Sequence, residues 1–353
     1  MCERTRHCPS SSADTEPLRQ QLLQDLIAAG LDPGIDRLQH DCCEVDLRRI
    51  AAAIQDQKVD LLVAVGGGKV HDAGPLLADR LALPCVTVPT SAATCAGWTA
   101  LSNLYSPQGA FVGDVTLRHC PDLLVFDHGL IRQAPRRTLA SGIADAMAKW
   151  YEASVSSGSS EDGMVQQAVQ QARVLRDQLL LEAETALREP GSAAWGRVIE
   201  ACGLTAGLIG GLGGARCRTV AAHAVHNGLT QLEATHGRLH GEKVGFGILV
   251  QLRLEEQLGG HRLAAQARRQ LIPLFTSLQL PITLTDLGLA QASLEQLQQV
   301  CLHACGPGSD LHHLPVPVSA DDLLAALLST TADPERAGTA AQRRSSAAES
   351  GPL

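Results

Sequence analysis

The chain has 353 residues, enough for two domains of ordinary size, and its low aromatic content (3%) leaves a core of Leu, Ala, Val and Ile. A net charge of −8 with no basic stripe excludes nucleic acid as the main partner. No run of about 18 uninterrupted apolar residues suggests a membrane span, and the polar start of the chain lacks the apolar segment of a secretory signal.

Residues 1–16 are polar and are expected to be disordered. Leu18, Leu22, Leu23 and Leu26 then recur at helical spacing up to Gly30, a C-cap residue. DLRRIAAAIQDQ reads as a second helix. LLVAVGGGK is a continuous apolar run ending in glycines, which suits a buried parallel strand entering a tight turn. A helix (DAGPLLADRLAL), a buried strand (PCVTVPT) and a loop of small residues (SAATCAGWTALS) follow, so strands and helices alternate as in an α/β unit. From residue 137 the period is helical almost throughout, beginning with RRTLASGIADAMAKWYEASVS. The expected organisation is an α/β N-terminal domain over 17–136, an all-α C-terminal domain over 137–330, and a disordered tail over 331–353. Eleven cysteines spread singly along the chain suggest reduced thiols and the cytoplasm.

Two segments carry chemistry. Gly66, Gly67 and Gly68, followed by Lys69 and Asp72, let a backbone approach a ligand closely while a helix begins behind it. Such a turn either cradles a pyrophosphate or serves tight packing alone. The next strand end, with Thr90 and Thr94, would face the same crevice, although either hydroxyl could equally cap a helix. The second segment, AHAVHNGLTQLEATHGRLHGEKVGFG, places His223, His226, His236 and His240 in 18 positions. Histidine is the commonest transition-metal ligand but also a common hydrogen-bonded core residue. Two imidazoles and one carboxylate, here Asp145, make a metal site with a position left open for substrate.

In this order and spacing, GGGKxxD, PTxAATxAxxTALSxxY, GIxDAxAKWYEA and AHAVHNGLT with HGEKV resemble the glycerol dehydrogenase branch of the iron-containing alcohol dehydrogenase superfamily. The resemblance spans residues 35 to 330. It implies the dehydroquinate synthase-like fold, with a dinucleotide-binding domain, a helical domain and a divalent metal, Zn²⁺ or Fe²⁺, in the cleft between them. It places the metal ligands, which are also the catalytic residues, on Asp145, His223 and His240. It places NAD(P)(H) contacts on Gly68, Lys69, Asp72, Thr90, Thr99, Leu101 and Tyr105, with Gly66 and Gly67 completing the turn. His226 is expected beside the metal ligands, one helical turn from His223. A homo-oligomer is implied as well.

Departures from the pattern bear on the substrate. Polyol-oxidising members carry an Asp where this chain has Cys95, and a carboxylate there would repel a carboxylate substrate. ATCAxWT, DxxAKWYEA and the late His-x-Leu-Pro-Val-type segment (His312 or His313, Leu314, Pro315) resemble the hydroxycarboxylate dehydrogenase A subgroup, which interconverts 2-oxo and 2-hydroxy acids. Arg218, or alternatively Arg216, is the cation expected to capture a carboxylate. Trp98 either walls the substrate pocket or fills core. Cys95 is not expected to be a nucleophile, since nothing in its motif would activate it. The resemblance implies that this chain starts at or after the family's first strands, and Pro75 stands where the family has a lysine, tolerable within the first turn of a helix. The leading reading is therefore a metal-dependent NAD(P)H oxidoreductase for 2-oxo and 2-hydroxy acids. Glycerol dehydrogenase is the enzymatic alternative, and a non-catalytic remnant is the alternative of another class.

Overall fold

A computed structural model describes the backbone of residues 5–9 and, in full, residues 16–55, 57–214 and 217–331. An α/β N-terminal part is followed by a helical C-terminal part. Strands β1 (Thr5–Pro9), β2 (Pro33–Ile35), β3 (Leu61–Gly66), β4 (Cys85–Pro89) and β7 (Leu123–Leu124) form one parallel sheet in the order β2-β1-β3-β4-β7. Helices α1 (Glu16–Ala28), α2 (Glu44–Ile54) and α3 (Gly68–Leu81) belong to the same part. β3 is buried along nearly its whole length because Leu47 and Ile50 of α2 and Val70, Leu76 and Leu77 of α3 share its core. This is why its sequence reads as an unbroken apolar run.

Three expectations need correction. Residues 5–9 lie within the leader expected to be disordered, yet they form β1, a central strand in register with both β2 and β3. The sheet therefore has two strands ahead of β3 rather than opening at it. Only the ends of that leader (1–4 and 10–15) and residues 332–353 of the expected tail lie outside the described residues. Pro75 is the eighth residue of α3, not part of its first turn, so the helix lacks one interior N–H donor there.

The sequence reading also passed over a two-stranded antiparallel hairpin, β5 (Leu101–Tyr105) and β6 (Phe111–Thr116). Gly109 makes its turn possible, with φ +91° and its N–H donated to the Ser106 carbonyl at 2.9 Å. The hairpin's faces are only half-buried, which blurs its alternation.

After α4 (His128–Ile131) the described chain is helical: α5 (Arg136–Ser157), α6 (Gly163–Arg188), α7 (Ala193–Glu200), α8 (Ala206–Gly213), α9 (Ala221–Leu229), α10 (His240–Gly259), α11 (Arg262–Ser277), α12 (Leu294–Ala304) and α13 (Ala320–Thr331). A π-helical turn over Ala201–Thr205 joins α7 to α8. Gly203 sits there against the Phe126 ring, with no room for a Cβ.

Helix α5 is the spine of this part, buried at fifteen of its positions from Leu139 to Ser157. Two glycines let neighbours close on it. A Cβ on Gly142 would overlap the Ala92 carbonyl of the loop after β4, and a Cβ on Gly241 of α10 would overlap the Ser141 carbonyl. The Gly241 N–H instead donates to Ser141 Oγ at 3.0 Å. Gly241→Ala is expected to force α10 away from α5 at a cost of about 2–4 kcal/mol. Urea denaturation checks this, and a stability within about 0.5 kcal/mol of the unaltered protein would contradict the packing described.

Candidate active site

Helix α5 presents Ser141, Asp145, Lys149 and Glu152 at spacings of four, four and three, one stripe along an otherwise apolar helix. Each member except Lys149 holds part of an adjoining helix or ligand, and each is at most 5% exposed. Ser141 receives the N–H of Gly241, the residue after His240. Glu152 accepts from the N–H groups of Val220 (2.7 Å) and His223 (3.0 Å) through Oε1, supplying the cap that Val220, as N-cap residue of α9, has no side chain to provide. Its Oε2 lies 2.6 Å from His223 Nδ1. Gln251 of α10 adds a second buried acceptor, for the Ala222 N–H at 3.1 Å. At the start of α10, Glu242 accepts from Leu239 N (2.8 Å) and from Arg137 of α5 (2.5 Å), so both histidine-bearing helices are referenced to α5.

Asp145, His223 and His240 thereby meet, with ligand atoms within 4.8 Å of one another. Both Nε2 atoms stand 3.4 Å from Asp145 Oδ1, which is buried and accepts no hydrogen bond of good geometry. With its Nδ1–H donated to Glu152 Oε2, a neutral His223 would point an Nε2 lone pair at that orphaned oxygen. Such an arrangement demands a positive charge at its centre. Without a metal the charge is a proton: burial pushes the His223 pKa down, but Glu152 and Asp145 outweigh it and raise the value to about 9. Burial works against the Asp145 carboxylate, yet Lys149 and the two histidines hold it well below its ordinary range. His240 is lowered by burial and stays neutral. Two imidazole nitrogens, one carboxylate oxygen and a carboxylate behind one imidazole are the donor set of a divalent metal, so these residues fit one.

The other described cluster of potential ligands, His40, Cys43 and Asp46, fits poorly. Asp46 Oδ2 already accepts from the N–H groups of Gln39 (2.7 Å) and His40 (2.8 Å), and its Oδ1 faces the Arg49 guanidinium. Its lone pairs are occupied and a cation stands beside it.

Beside the trio opens a crevice of about 970 Å³. Gly68, Lys69, Asp72 and Tyr105 line it from the sheet side, and His226, His240 and Lys243 from the helical side. Gly66 and Gly67 lead into it from the end of β3, and the Thr90 N–H donates to the Gly66 carbonyl at 2.9 Å, so the turn and the next strand end adjoin as expected. Thr99 and Leu101, also expected at the cofactor, lie at the base of the hairpin and are not among the lining residues. Gly68 starts α3 so close to Thr94 that a Cβ there would be 3.0 Å from its methyl. Lys69 forms an ion pair with Asp41. Burial raises the Asp72 pKa to about 8, against the N–H of Asn103 that donates to it at 2.9 Å. His226, also neutral through burial, packs its ring 4.2 Å from that of His240 and has Nδ1 2.9 Å from Asn227 Oδ1.

Cys95 and Trp98 pack against Gly207 of α8, Arg218 lies across Gly210 one turn on, and none of the three is among the residues lining the crevice. Burial raises the Cys95 thiol to about 11, so it is neutral and no nucleophile. Arg216 lies outside the described residues. Glu152, Lys149, Asp41 and Lys243 were not singled out from the sequence. The signal for the first two was present: Asp145, Lys149 and Glu152 share one face of a helix whose other inward residues are small or apolar.

Residues 7–128 match the profile of the family described as "Iron-containing alcohol dehydrogenase". An uncharacterised oxidoreductase of Synechocystis is 56% identical over 82% of this chain and 75% of its own. Hydroxycarboxylate dehydrogenase A of Escherichia coli K12 is 37% identical over 81% of this chain and 78% of its own. Among solved structures, a probable glycerol dehydrogenase from Sinorhizobium meliloti 1021 superposes with a TM-score of 0.80, at 31% identity, covering 94% of this chain and 91% of its own. The chain belongs to the iron-containing alcohol dehydrogenase family, in its glycerol dehydrogenase branch. It is an oxidoreductase of that family, and no described helix is long and apolar enough to cross a membrane.

Glu152→Gln keeps an acceptor for the α9 N–H groups but turns an amide donor toward His223 Nδ1. That shifts the ring proton to Nε2, where it blocks ligation. The variant is expected to bind Zn²⁺ about 10–100-fold more weakly. In the unaltered protein, metal uptake displaces the His223 proton, so apparent affinity should rise about tenfold per pH unit between roughly pH 6 and 8; the variant should show a flatter slope. Chelator competition measures both, and equal affinities with equal slopes would contradict the role given to Glu152.

Proposed function

We propose that the chain is a metal-dependent oxidoreductase transferring a hydride between NAD(P)H and a 2-oxo acid, or the reverse from a 2-hydroxy acid. The observation that carries this reading is the wall beside Asp145. It presents the neutral thiol of Cys95 rather than a carboxylate, next to Arg218, whose Nε is buried without a hydrogen-bond partner among the described residues. The 37% identity with hydroxycarboxylate dehydrogenase A points the same way.

In this reading Asp145, His223 and His240 hold one Zn²⁺ or Fe²⁺ ion, while Gly66, Gly67, Gly68, Lys69, Asp72, Thr90, Thr99, Leu101 and Tyr105 hold the dinucleotide. The metal supplies a Lewis acid for the substrate oxygen and the dinucleotide supplies the hydride donor or acceptor. The protein's own residues do the rest. The glycine turn and the N-terminus of α3 receive phosphate, with Lys69 beside them. Glu152 keeps Nε2 of His223 free of its proton. His226 and the buried walls of the crevice exclude water from the reacting atoms. Trp98 and Cys95 shape the substrate side, where Arg218 meets the carboxylate. The described cysteines form no disulfide, which suits the reducing cytoplasm, and we take the enzyme to be a homo-oligomer.

Polyol oxidation is the second reading, favoured by the likeness to a probable glycerol dehydrogenase. The two separate in steady-state assays on the Zn²⁺- or Fe²⁺-loaded protein, after fluorescence titration has shown whether NADH or NADPH binds more tightly. The expected kcat/KM for the best of glyoxylate, pyruvate, 2-oxobutyrate and 2-oxoglutarate exceeds that for glycerol at least tenfold. Higher turnover of glycerol would replace the acid reading with the polyol one. A folded, metal-loaded protein that binds neither dinucleotide would leave a non-catalytic remnant.

A further inference from the structure

Lys149 is the one member of the α5 stripe without a structural task. Its side chain is 5% exposed, and it makes no direct ion pair or hydrogen bond with a described residue. An ammonium is strongly hydrated, and burying one unpaired costs several kcal/mol, roughly. This one nevertheless stays charged: burial lowers its pKa, and Asp145, Cys95 and Glu152 raise it above the ordinary lysine value. The two carboxylates do not claim it directly, since Asp145 faces the histidines and Glu152 is taken up by His223 and the start of α9. Arg218 is a second cation in the same place, near enough to Lys149 and Cys95 to act on both. Its buried Nε also has no partner. Two like charges gathered with no described carboxylate in direct contact with either oppose folding and gain nothing from each other.

We infer that Lys149 and Arg218 form the anion seat for the substrate's carboxylate, with Lys149 the specificity-determining residue beside the metal ligands. The inference rests on the 2-oxo acid reading. Charge balance supports it. Lys149 and Arg218 offset Asp145 and Glu152, so a divalent metal leaves two uncompensated positive charges. A 2-hydroxy acid, with a carboxylate and a developing alkoxide, supplies two negative ones, whereas a polyol supplies one. Packing fixes the place of these groups: Cys95 and Trp98 lie against Gly207 of α8, and the Arg218 stem lies across Gly210, where a Cβ would displace it. Lys149 lies one turn along α5 from Asp145, on the side of Cys95, where a carboxylate adjacent to a metal-facing carbonyl would fall.

The test compares the best 2-oxo acid substrate of the unaltered enzyme with its methyl ester, which differs by the charge alone. In Lys149→Met the acid-over-ester ratio of kcat/KM is expected to fall about 100-fold. Lys149→Arg should recover most of it. Arg218→Gln, a change at a partly exposed position, should lower the ratio about tenfold. Calorimetric binding of oxamate to the metal-loaded, NADH-bound protein should weaken in parallel. A Lys149→Met protein that loses acid and ester activity equally, or keeps the unaltered ratio and oxamate affinity, overturns the inference while the acid reading stands. If Lys149→Met does not fold, an unchanged ratio in Arg218→Gln overturns it. An unaltered enzyme with no preference for acid over ester instead removes the acid reading itself.

Discussion

The carboxylate of Glu152 is the interaction on which the site depends. It is fully buried, caps α9 through two backbone N–H groups and holds the ring of His223 at 2.6 Å, all from one side chain on α5. Helix α9 begins at Val220, which cannot cap itself, so its start and the ring of His223 are both set from the neighbouring helix. Removing that carboxylate would orphan two N–H donors and release the imidazole, a cost of about 3–5 kcal/mol for a buried, multiply bonded charge. The same stripe, three turns long, fixes the second histidine helix through Ser141 and carries Asp145 between them. One helix thus sets the relative placement of Asp145, His223 and His240.

Close approach makes this arrangement possible. Gly142 and Gly241 bring the loop after β4 and the start of α10 against α5 at distances that no side chain would permit. The loop carries Cys95 and the helix carries His240, so both side chains are placed by the absence of two Cβ atoms. The parallel sheet contributes the other half of the crevice. Its strand ends, the glycine turn before α3 and Tyr105 of the hairpin face the helical part, where His226, His240 and Lys243 close the space.

Much of this was legible in the sequence, and for physical reasons. Apolar β3 and amphipathic helices announce themselves because burial dictates their composition. Asp145, His223 and His240 were legible through motifs of fixed spacing. What was not legible needs three dimensions. Glu152 stands out as a polar residue on the inward face of α5, but its partner does not, because His223 lies 71 positions away and nothing local links them. Strand β1 sits in a polar segment whose neighbours in the sheet, not its own pattern, make it a strand. The β5–β6 hairpin has half-buried faces and therefore a weak alternation. Thr99 and Leu101 were placed at the cofactor by resemblance, and they stand at the base of the hairpin whose Asn103 and Tyr105 line the crevice.

The central claim is that one divalent metal is held by Asp145, His223 and His240. X-ray absorption at the K-edge of Zn²⁺ bound at one equivalent tests it most directly. The account predicts two imidazole nitrogens at about 2.0–2.1 Å with the remaining ligands oxygen, and no sulfur shell. A sulfur shell near about 2.3 Å would contradict it, because it would put the metal at the other described cluster, where Cys43 stands between His40 and Asp46.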